Sequence, residues 1–406
     1  MQVLEGIRVI DWTVWQQGPV ASAMLGDLGA DVIKVEHRTS GDPGRGLMSL
    51  LGSAISGPAG RNYYFEMNNR NKRSITLDLN VQKAKEIMYR LVEKSDVFVQ
   101  NFRKGVAEKM GLDYATLCRY NPKLIYATGT GYGRKGPESG DPSFDYLAQA
   151  RSGIMTNQAE PDLPPLVMRG AVADQMGAWC LAYGVLAALV ARERLGIGQE
   201  IDGSILGGMI QFQGLGIGRT LIAPGSGTGK ISRKKAYNVL WNHYRCGDDK
   251  WLAMGMMQPD RYWANVCRVI GRDDMATDPR FCELAARREH SEEAIRILDE
   301  IFATKPREEW LRLFKEGPGE VICGPVSDTE DLVDDPQVKA NDYIIDFDHP
   351  VFGPIKMTGV PVGFSKTPGS VRREAPEFGQ HTEEILTEVL DISWEEITQL
   401  KDEKVI

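Results

Sequence analysis

One acidic residue, Asp174, lies at the start of a long apolar segment of the 406-residue chain. A run rich in alanine and leucine follows it and predicts a helix over Asp174–Leu195. An aspartate at that position most simply caps the helix with its side-chain oxygen. The same position suits a nucleophilic carboxylate, because the partial positive charge of a helix start favours the ionised form. The two interpretations are compatible, and the residues by themselves leave both open.

Basic side chains recur near the ends of predicted strands. They form three groups: His37 and Arg38; Lys72 and Arg73; and Arg103, Lys104 and Lys109. If these groups converge on one side of a sheet, they would suit an anionic, phosphate-bearing ligand. The alternative for each group is ordinary solvated surface charge.

Nucleotide and metal motifs fail on inspection. The stretch 225–230 (GSGTGK) is not a phosphate-binding loop, because Pro224 takes the place of the first glycine and Ile231 that of the hydroxyl residue. No GxGxxG follows the first strand, where the turn reads WQQGP. The five histidines are scattered and the six cysteines form no CxxC pair. We therefore predict no metal and no nucleoside triphosphate.

Strand-like and helix-like segments alternate through the amino-terminal half, which predicts an α/β fold with a parallel sheet covered by helices. The predicted strands are Ile7–Trp12, Asp31–Val35, Ser74–Leu79, Val97–Gln100 and Leu124–Thr128. The predicted helices are Ala21–Leu28, Val81–Lys94, Tyr114–Tyr120 and Asp174–Leu195, with further helices at Glu292–Ala303 and His381–Leu390. Ligands of such sheets bind beyond the carboxyl ends of the strands.

The character of the sequence changes twice, which predicts a large domain interrupted by a smaller one. We expect the large domain to comprise 1–222 and 321–406, with a linker and small domain at 223–320. The formal charge of −8 argues against bulk nucleic-acid binding. We see no secretory leader, and the longest apolar stretch, Trp179–Ala191, is shorter than the roughly 20 residues that span a bilayer. We therefore expect a cytoplasmic protein without a membrane partner.

Several segments in a fixed order carry a resemblance to a known family. They are LEGIRVIDWT at 4–13, LGDLGADVIKVE at 25–36, NKRSITLDL at 71–79, DVFVQNFRKG at 96–105, GIGQEIDGSILGG at 196–208, CGPV at 323–326 and GQHTEEIL at 379–386. Over nearly its whole length the chain resembles the class III CoA-transferases, the group of formyl-CoA transferase and crotonobetainyl-CoA:carnitine CoA-transferase.

The resemblance implies both a fold and a reaction. The expected fold is a Rossmann-like large domain with a smaller inserted domain, in a homodimer of interlocked rings. The expected reaction moves coenzyme A from an acyl-CoA donor to a free carboxylic acid through an aspartyl-CoA thioester, with Asp174 as the nucleophile. Acyl-CoA is then a substrate, and the reaction needs neither metal nor nucleoside triphosphate.

Further residues are matched to this family by position. Gln16 would donate a hydrogen bond to the reacting carbonyl oxygen, and Asp145 would help to position groups around the thioester. The positions matched to CoA contacts are Gln16, Gln17, His37, Arg38, Leu77, Asn80, Asn101, Phe102, Arg103, Lys109 and Phe144. The glycine-rich tract at 223–229 is a candidate closing loop.

Three other functions are weighed against CoA transfer. An α-methylacyl-CoA racemase has a histidine immediately before the acidic residue at 145, where this chain has Phe144, which cannot move a proton. A non-catalytic subunit of a hetero-oligomeric transferase would lack the nucleophile, and a nicotinamide-dependent dehydrogenase would need the absent glycine-rich turn.

The acid substrate is suggested only by a group of aromatic residues: Trp12, Trp15, Tyr63, Tyr64 and Phe65. These side chains would line a pocket for a bulky, branched or aromatic acid. The alternative is that they pack in the core, as aromatic residues beside strands usually do.

Overall fold

The computed structural model describes residues 1–50, 53–225 and 230–406, which form two compact units. The larger unit comprises Met1–Met155, Val167–Pro224 and Gln337–Ile406, and the smaller unit comprises Thr156–Leu166 and Gly225–Pro336. Most of the glycine-rich tract predicted as a closing loop, at 226–229, lies outside the described residues.

The larger unit is built on a six-stranded sheet in which every neighbouring pair is parallel, which confirms the predicted α/β fold. The first eight strands of the chain include these six and the short hairpin β3–β4: β1 (Arg8–Trp12), β2 (Asp31–His37), β3 (Ser49–Leu50), β4 (Ser53–Ala54), β5 (Lys72–Leu77), β6 (Val97–Gln100), β7 (Ile125–Thr130) and β8 (Gln199–Ser204). The order across the sheet is β5-β2-β1-β6-β7-β8. Successive strands spread outward in both directions from β1 and β6, so the crevice between those two is the expected ligand site.

Helices of the first half cover both faces of this sheet. They are α1 (Gln17–Asp27), α2 (Tyr63–Asn69), α3 (Gln82–Glu93), α4 (Val106–Met110), α5 (Tyr114–Leu117), α6 (Asp145–Ser152), α7 (Ile154–Asn157), α8 (Val172–Leu195), α9 (Ile205–Phe212) and α10 (Gly214–Ile222). The first helix begins four residues earlier than predicted, because Pro19 falls in its first turn, where the missing N–H leaves no helical bond unmade.

The alternation of buried residues along each strand separates the core into two layers. Val9 of β1 packs with α1 and α8 on one face, and its neighbour Ile10 packs with α3 on the other. The second layer also contains Leu386 and Leu400, from helices near the carboxyl terminus. The last segment of the chain therefore completes the core of the sheet formed by the first.

Helix α8 begins at Val172, and its amino-terminal cap is Ala171 in the left-handed conformation with φ 52°. The prediction that Asp174 caps this helix is therefore wrong, because Asp174 is the third helical residue and its side chain makes no capping bond. Among the described residues α8 is the one helix long and apolar enough to cross a bilayer. Its residues Leu181 and Val185 are buried against the parallel sheet, as in a core helix.

The smaller unit has its own sheet and core. Its three antiparallel strands are β9 (Trp241–Arg245), β10 (Trp251–Gly255) and β11 (Cys323–Val326), in the order β11-β10-β9. Its helices are α11 (Pro259–Val269), α12 (Asp273–Thr277), α13 (Leu284–Glu289), α14 (Ser291–Phe302) and α15 (Arg307–Glu316). Tyr244, Trp263 and Phe302 are buried at the centre of this unit.

The chain then returns to the larger unit through α16 (Pro336–Ala340), the hairpin β12 (Ile344–His349) and β13 (Gly353–Thr358), and helices α17 (Thr382–Leu390) and α18 (Trp394–Asp402).

Candidate active site

Asp174 and Asp145 meet at the amino-terminal end of α8. Asp145 is the first residue of α6, and its Oδ1 accepts hydrogen bonds from the backbone N–H of Ala173 (2.7 Å) and of Asp174 (3.3 Å). Its Oδ2 accepts a third from Gln149 Nε2 at 2.7 Å. The sequence assigned the helix cap to Asp174, but Asp145 supplies it from another helix. The Asp174 carboxylate therefore makes no capping hydrogen bond.

The environment of Asp174 makes its carboxylate unusually basic. Burial, and after it the nearby negative charge of Asp145, together raise the pKa of Asp174 to about 7. A carboxylate with weak hydration and a raised pKa is a stronger nucleophile than a solvated aspartate. Asp174 thus combines partial burial with a position beside the backbone N–H groups of a helix start.

Tyr64 forms another side of this site. Burial raises the pKa of the Tyr64 phenol, and the negative charges of Asp174 and then Asp42 raise it further. The phenol therefore remains protonated at physiological pH and can donate a hydrogen bond. The sequence placed Tyr64 only within the aromatic group, and its separate role depends on a proximity to Asp174 that no local pattern encodes.

The other aromatic residues of that group have different environments. Trp12 and Phe65 are buried in the protein, whereas Trp15 and Tyr63 have 37% and 50% of their surface exposed. The Trp12 ring packs against Phe102 with 4.3 Å between centroids, beneath the crevice between β1 and β6. Core packing therefore explains Trp12 and Phe65, while Trp15, Tyr63 and Tyr64 remain candidates for contact with an acid.

The two adjacent glutamines of the first turn differ in their surroundings. Gln17 Nε2 donates to the carbonyl oxygen of Gly203 at 2.8 Å, and a Cβ at Gly177 would lie 3.0 Å from the same atom. Since Gly177 lies one helical turn beyond Asp174, Gln17 connects α1 to the helix of the candidate nucleophile. Gln16 is buried in the turn directly before α1. Its side-chain amide is a hydrogen-bond donor that a bound substrate could use.

The turn before α1 is fixed by side chains from neighbouring strands. Asn101, directly after β6, accepts from the N–H of Val14 (2.9 Å) and donates to its carbonyl oxygen (2.8 Å). Trp15 has φ 67°, a left-handed conformation that is strained for a residue with a side chain. The loop that carries Gln16 is therefore held in one conformation.

The predicted CoA-contacting residues come from the ends of neighbouring strands. His37 ends β2 and Arg38 follows it. Leu77 ends β5, and Asn80 lies three residues further on. Asn101, Phe102 and Arg103 follow β6, while Lys109 lies on α4. Leu77 is buried, His37, Asn80, Arg103 and Lys109 are exposed, and Phe144 is an exposed residue immediately before Asp145. Arg38 has a buried Nε that lacks a partner in the described structure, as expected where an anionic ligand is to bind.

One group of basic residues was predicted wrongly. Lys72 and Arg73, which were expected to flank a strand near a ligand, are the first two residues of β5, and both are buried. Lys72 Nζ pairs with Asp11 Oδ2 at 2.6 Å, and Arg73 is bound to Asp31 and Glu384. In a parallel sheet the amino-terminal ends of the strands lie at the edge opposite their carboxyl-terminal ends. Lys72 and Arg73 therefore lie away from the expected ligand edge, and they form ion pairs within the protein.

Cavities open among the described residues of the larger unit. One of about 250 Å³ lies at the carboxyl ends of β6 and β7 and is lined by Phe102, Arg103 and Thr128, among others. Another, of about 320 Å³, is lined by Arg45, Phe65 and other residues, of which only Phe65 belongs to the aromatic group that the sequence proposed for an acid pocket. Within residues 1–50, 53–225 and 230–406 no group of three or more His, Cys, Asp or Glu side chains is arranged to hold a metal ion.

Comparison with known proteins identifies the family. The profile of CoA-transferase family III matches residues 4–382, so the chain belongs to that family and is an enzyme of that class. The (R)-2-hydroxy-4-methylpentanoate CoA-transferase of Clostridioides difficile is 31% identical and aligns over 100% of this chain and 99% of its own. The formyl-CoA:oxalate CoA-transferase of Rhodopseudomonas palustris (strain BisA53) is 30% identical over 99% of this chain and 96% of its own.

A solved structure gives the same fold. The crystal structure of a CAIB/BAIF family protein from Brucella suis superposes with a TM-score of 0.84 at 28% identity, covering 96% of this chain and 99% of that one. The similarity in three dimensions therefore extends over both compact units of the chain.

Proposed function

We propose that the enzyme moves CoA from an acyl-CoA to a carboxylic acid through an aspartyl-CoA thioester on Asp174. The Asp174 carboxylate attacks the thioester carbonyl of the donor, which expels CoA thiolate and forms a mixed anhydride. The thiolate then attacks the Asp174 carbonyl of that anhydride, which releases the donor acid and leaves CoA bound to Asp174 as a thioester. Both intermediates remain activated, so the exchange needs no external energy source.

The second half of the reaction reverses these steps with the acceptor. The acceptor carboxylate attacks the aspartyl thioester, which forms a new anhydride and frees the thiolate. The thiolate attacks the acceptor carbonyl, so the acceptor leaves as its CoA ester and Asp174 returns to a carboxylate. Each attack places negative charge on a carbonyl oxygen, and the amide of the buried Gln16 is the donor we assign to that oxygen.

The observation that carries this proposal is the state of the Asp174 carboxylate. Asp174 is the third residue of α8, and its pKa is raised to about 7. Asp145 supplies the capping hydrogen bonds to the start of this helix in its place. Racemisation is the weaker alternative, because it requires a proton carrier where Phe144 lies and a phenyl ring holds no exchangeable proton.

We also propose a homodimer, the interlocked form that the resemblance implies, rather than assembly with a related subunit. Helix α10 has no buried residue in the single chain, although Leu215, Leu221 and Ile222 are apolar and 95%, 74% and 87% exposed. Tyr183 and Leu195 of α8 are also exposed. Exposed apolar side chains at this density on α8 and α10 favour a protein interface.

The dimer is tested by size-exclusion chromatography with light scattering on purified protein. We expect a dimer whose assembly Leu215→Glu impairs, so that the yield of dimer falls, whereas Trp394→Glu, at another exposed apolar position, leaves the yield unchanged. A monomeric parent protein would contradict the proposal, and so would an equal loss of dimer in both variants.

The mechanism is tested by intact mass spectrometry after incubation with acyl-CoAs in the absence of acceptor. We expect a covalent CoA adduct that is lost in Asp174→Ala and retained in Asp141→Ala, a substitution at an exposed acid four residues before Asp145. An adduct that persists without Asp174 would refute the assignment of the nucleophile.

The acceptor acid follows from the same assay. Adding candidate acids to the adduct and measuring its decay ranks formate, oxalate, branched 2-hydroxy acids and aromatic acids. We expect branched or aromatic acids to act fastest, because Tyr64 lies near Asp174 and we assign Trp15 and Tyr63 to the same acid pocket. Turnover of small polar acids alone would contradict that preference.

A further inference from the structure

A cluster of buried charges lies beneath the turn that carries Gln16. Lys34, Lys72 and Asp11 are fully buried, and Asp42 is 2% exposed. Removing charges from water is costly, and well-packed apolar residues often serve stability equally well. The cluster therefore calls for a purpose other than stability.

Its contacts converge on the backbone of the turn. Lys34 Nζ donates to the carbonyl oxygen of Thr13 (3.1 Å) and to Asp42 Oδ2 (2.9 Å). Asp42 Oδ1 accepts from the N–H of Trp15 at 3.2 Å. The Lys34–Asp42 ion pair thus binds the backbone of Thr13 and Trp15, while Asn101 binds the backbone of Val14 between them. Trp15 is the residue of this turn with the strained left-handed conformation. A strained conformation persists only when the surrounding structure fixes it.

Asp42 also supports the Tyr64 side of the site. Its Oδ1 accepts from the N–H of Gly44 at 2.8 Å, and a Cβ at Gly44 would lie 3.1 Å from Tyr64 Cε1 and 3.2 Å from Asp42 Oδ1. Asp42 thus contacts both the turn before Gln16 and the backbone on which Tyr64 packs.

We infer that Asp42, paired with Lys34, is a positioning residue that fixes Gln16 and Tyr64 relative to Asp174. Asp42 does not touch the substrate in this scheme and acts through the Trp15 N–H and the Gly44 backbone. The inference rests on the proposed transfer through Asp174. A misplaced turn would slow formation of the covalent adduct with little change in the KM for acyl-CoA, because most of the residues assigned to CoA follow β2, β5 and β6 and lie outside this turn.

The test compares Asp42→Asn with Asp27→Asn. Asp27 is as buried as Asp42 and is bound by Arg70 at 2.6 Å, but it ends α1, roughly 15 Å along the helix from Gln17. Both changes remove one buried carboxylate charge from an ion pair. We expect Asp42→Asn to slow adduct formation about 10- to 100-fold with KM unchanged, and Asp27→Asn to lower only the melting temperature.

A milder pair keeps the test decisive if Asp42→Asn fails to fold. Gly44→Ala presses on Asp42 and Tyr64, whereas a Cβ at Gly46, in the same turn, meets no atom within 4 Å. We expect slower adduct formation in Gly44→Ala and not in Gly46→Ala. Hydrogen exchange at the amides of 13–16, followed by mass spectrometry, should accelerate in Asp42→Asn and not in Asp27→Asn.

The outcomes separate the two proposals. A parent protein that forms no adduct refutes the proposed function itself. An adduct formed at the parental rate in Asp42→Asn overturns only the positioning role, and so does an equal slowing in Asp27→Asn. A loss that appears entirely in KM would also overturn it.

Discussion

Replacing Asp145 with asparagine separates the two effects that its carboxylate has on Asp174. An asparagine oxygen still accepts from the N–H of Ala173, and asparagine is as good a helix cap as aspartate. The negative charge disappears, however, and that charge is one cause of the raised pKa of Asp174. Asp145→Asn therefore keeps the helix start and makes Asp174 more acidic.

The size of the effect follows from the separation of the charges. Asp145 Oδ1 lies 3.3 Å from the Asp174 backbone nitrogen, which puts the two carboxylates roughly 6 Å apart. At that distance two unit charges repel by ~0.7–3 kcal/mol for effective dielectric constants of about 80 to 20. Since 1.36 kcal/mol corresponds to one pKa unit, the midpoint for ionisation should fall by about 0.5–2 pH units.

The assay is the rate of covalent adduct formation at low acyl-CoA concentration as a function of pH. Because the carboxylate is the attacking form, the rate of the parent enzyme should rise with pH around the Asp174 pKa of about 7. With the midpoint near pH 6, the ionised fraction at pH 6 rises from about one tenth to about one half. For each enzyme we compare the rate at pH 6 with its own maximum rate at high pH. We expect this ratio to be ~5-fold higher in Asp145→Asn than in the parent enzyme.

The control is Asp141→Asn, which removes a charge from an exposed residue and should leave the midpoint unchanged. A midpoint that stays near 7 or rises in Asp145→Asn would refute the electrostatic argument. Asp145→Ala, which removes the acceptor as well, should lower stability by about 1 kcal/mol more than Asp145→Asn.

Three further predictions concern stability and binding. Because the pKa of Asp174 is raised in the folded protein, the stability that its protonated carboxyl contributes is lost as pH rises through about 7. Asp174→Asn should therefore raise the melting temperature at pH 8 but not at pH 4. Gly208→Ala should cost about 1–3 kcal/mol by chemical denaturation, because its Cβ would lie 2.9 Å from the Met176 backbone, whereas Gly184→Ala would touch only the tip of a side chain. Arg38→Ala should weaken CoA binding about tenfold by calorimetry, since its buried Nε has no partner in the described structure, and the exposed Arg119→Ala should not.

The regular elements of the fold were accessible from the sequence because local patterns encode them. The runs rich in β-branched residues at 31–37 and 97–100 are typical of buried strands. In the segment 82–93 the apolar residues recur with the helical period of 3.6, which indicates a helix with one buried face. Strand β6 was predicted with the bounds that the structure has.

Errors arose where an assignment needed a partner distant in sequence. Lys72 and Arg73 were placed just outside a strand and grouped with basic residues that could converge on a ligand, because sequence adjacency does not show which end of the sheet a residue reaches. Asp174 was assigned the cap of its helix because the residue that supplies it, Asp145, lies on another helix.

The sequence by itself determined that this is an α/β protein of CoA-transferase family III with an acidic residue at the start of a long apolar helix. Those features depend on residue type and local order, which the chain carries directly. The tertiary structure alone decided that Asp145 caps α8, that Tyr64 borders Asp174, and that Lys34 and Asp42 hold the turn before Gln16. Each of these depends on burial and on distances between side chains far apart in sequence, and those are set only when the strands and helices pack.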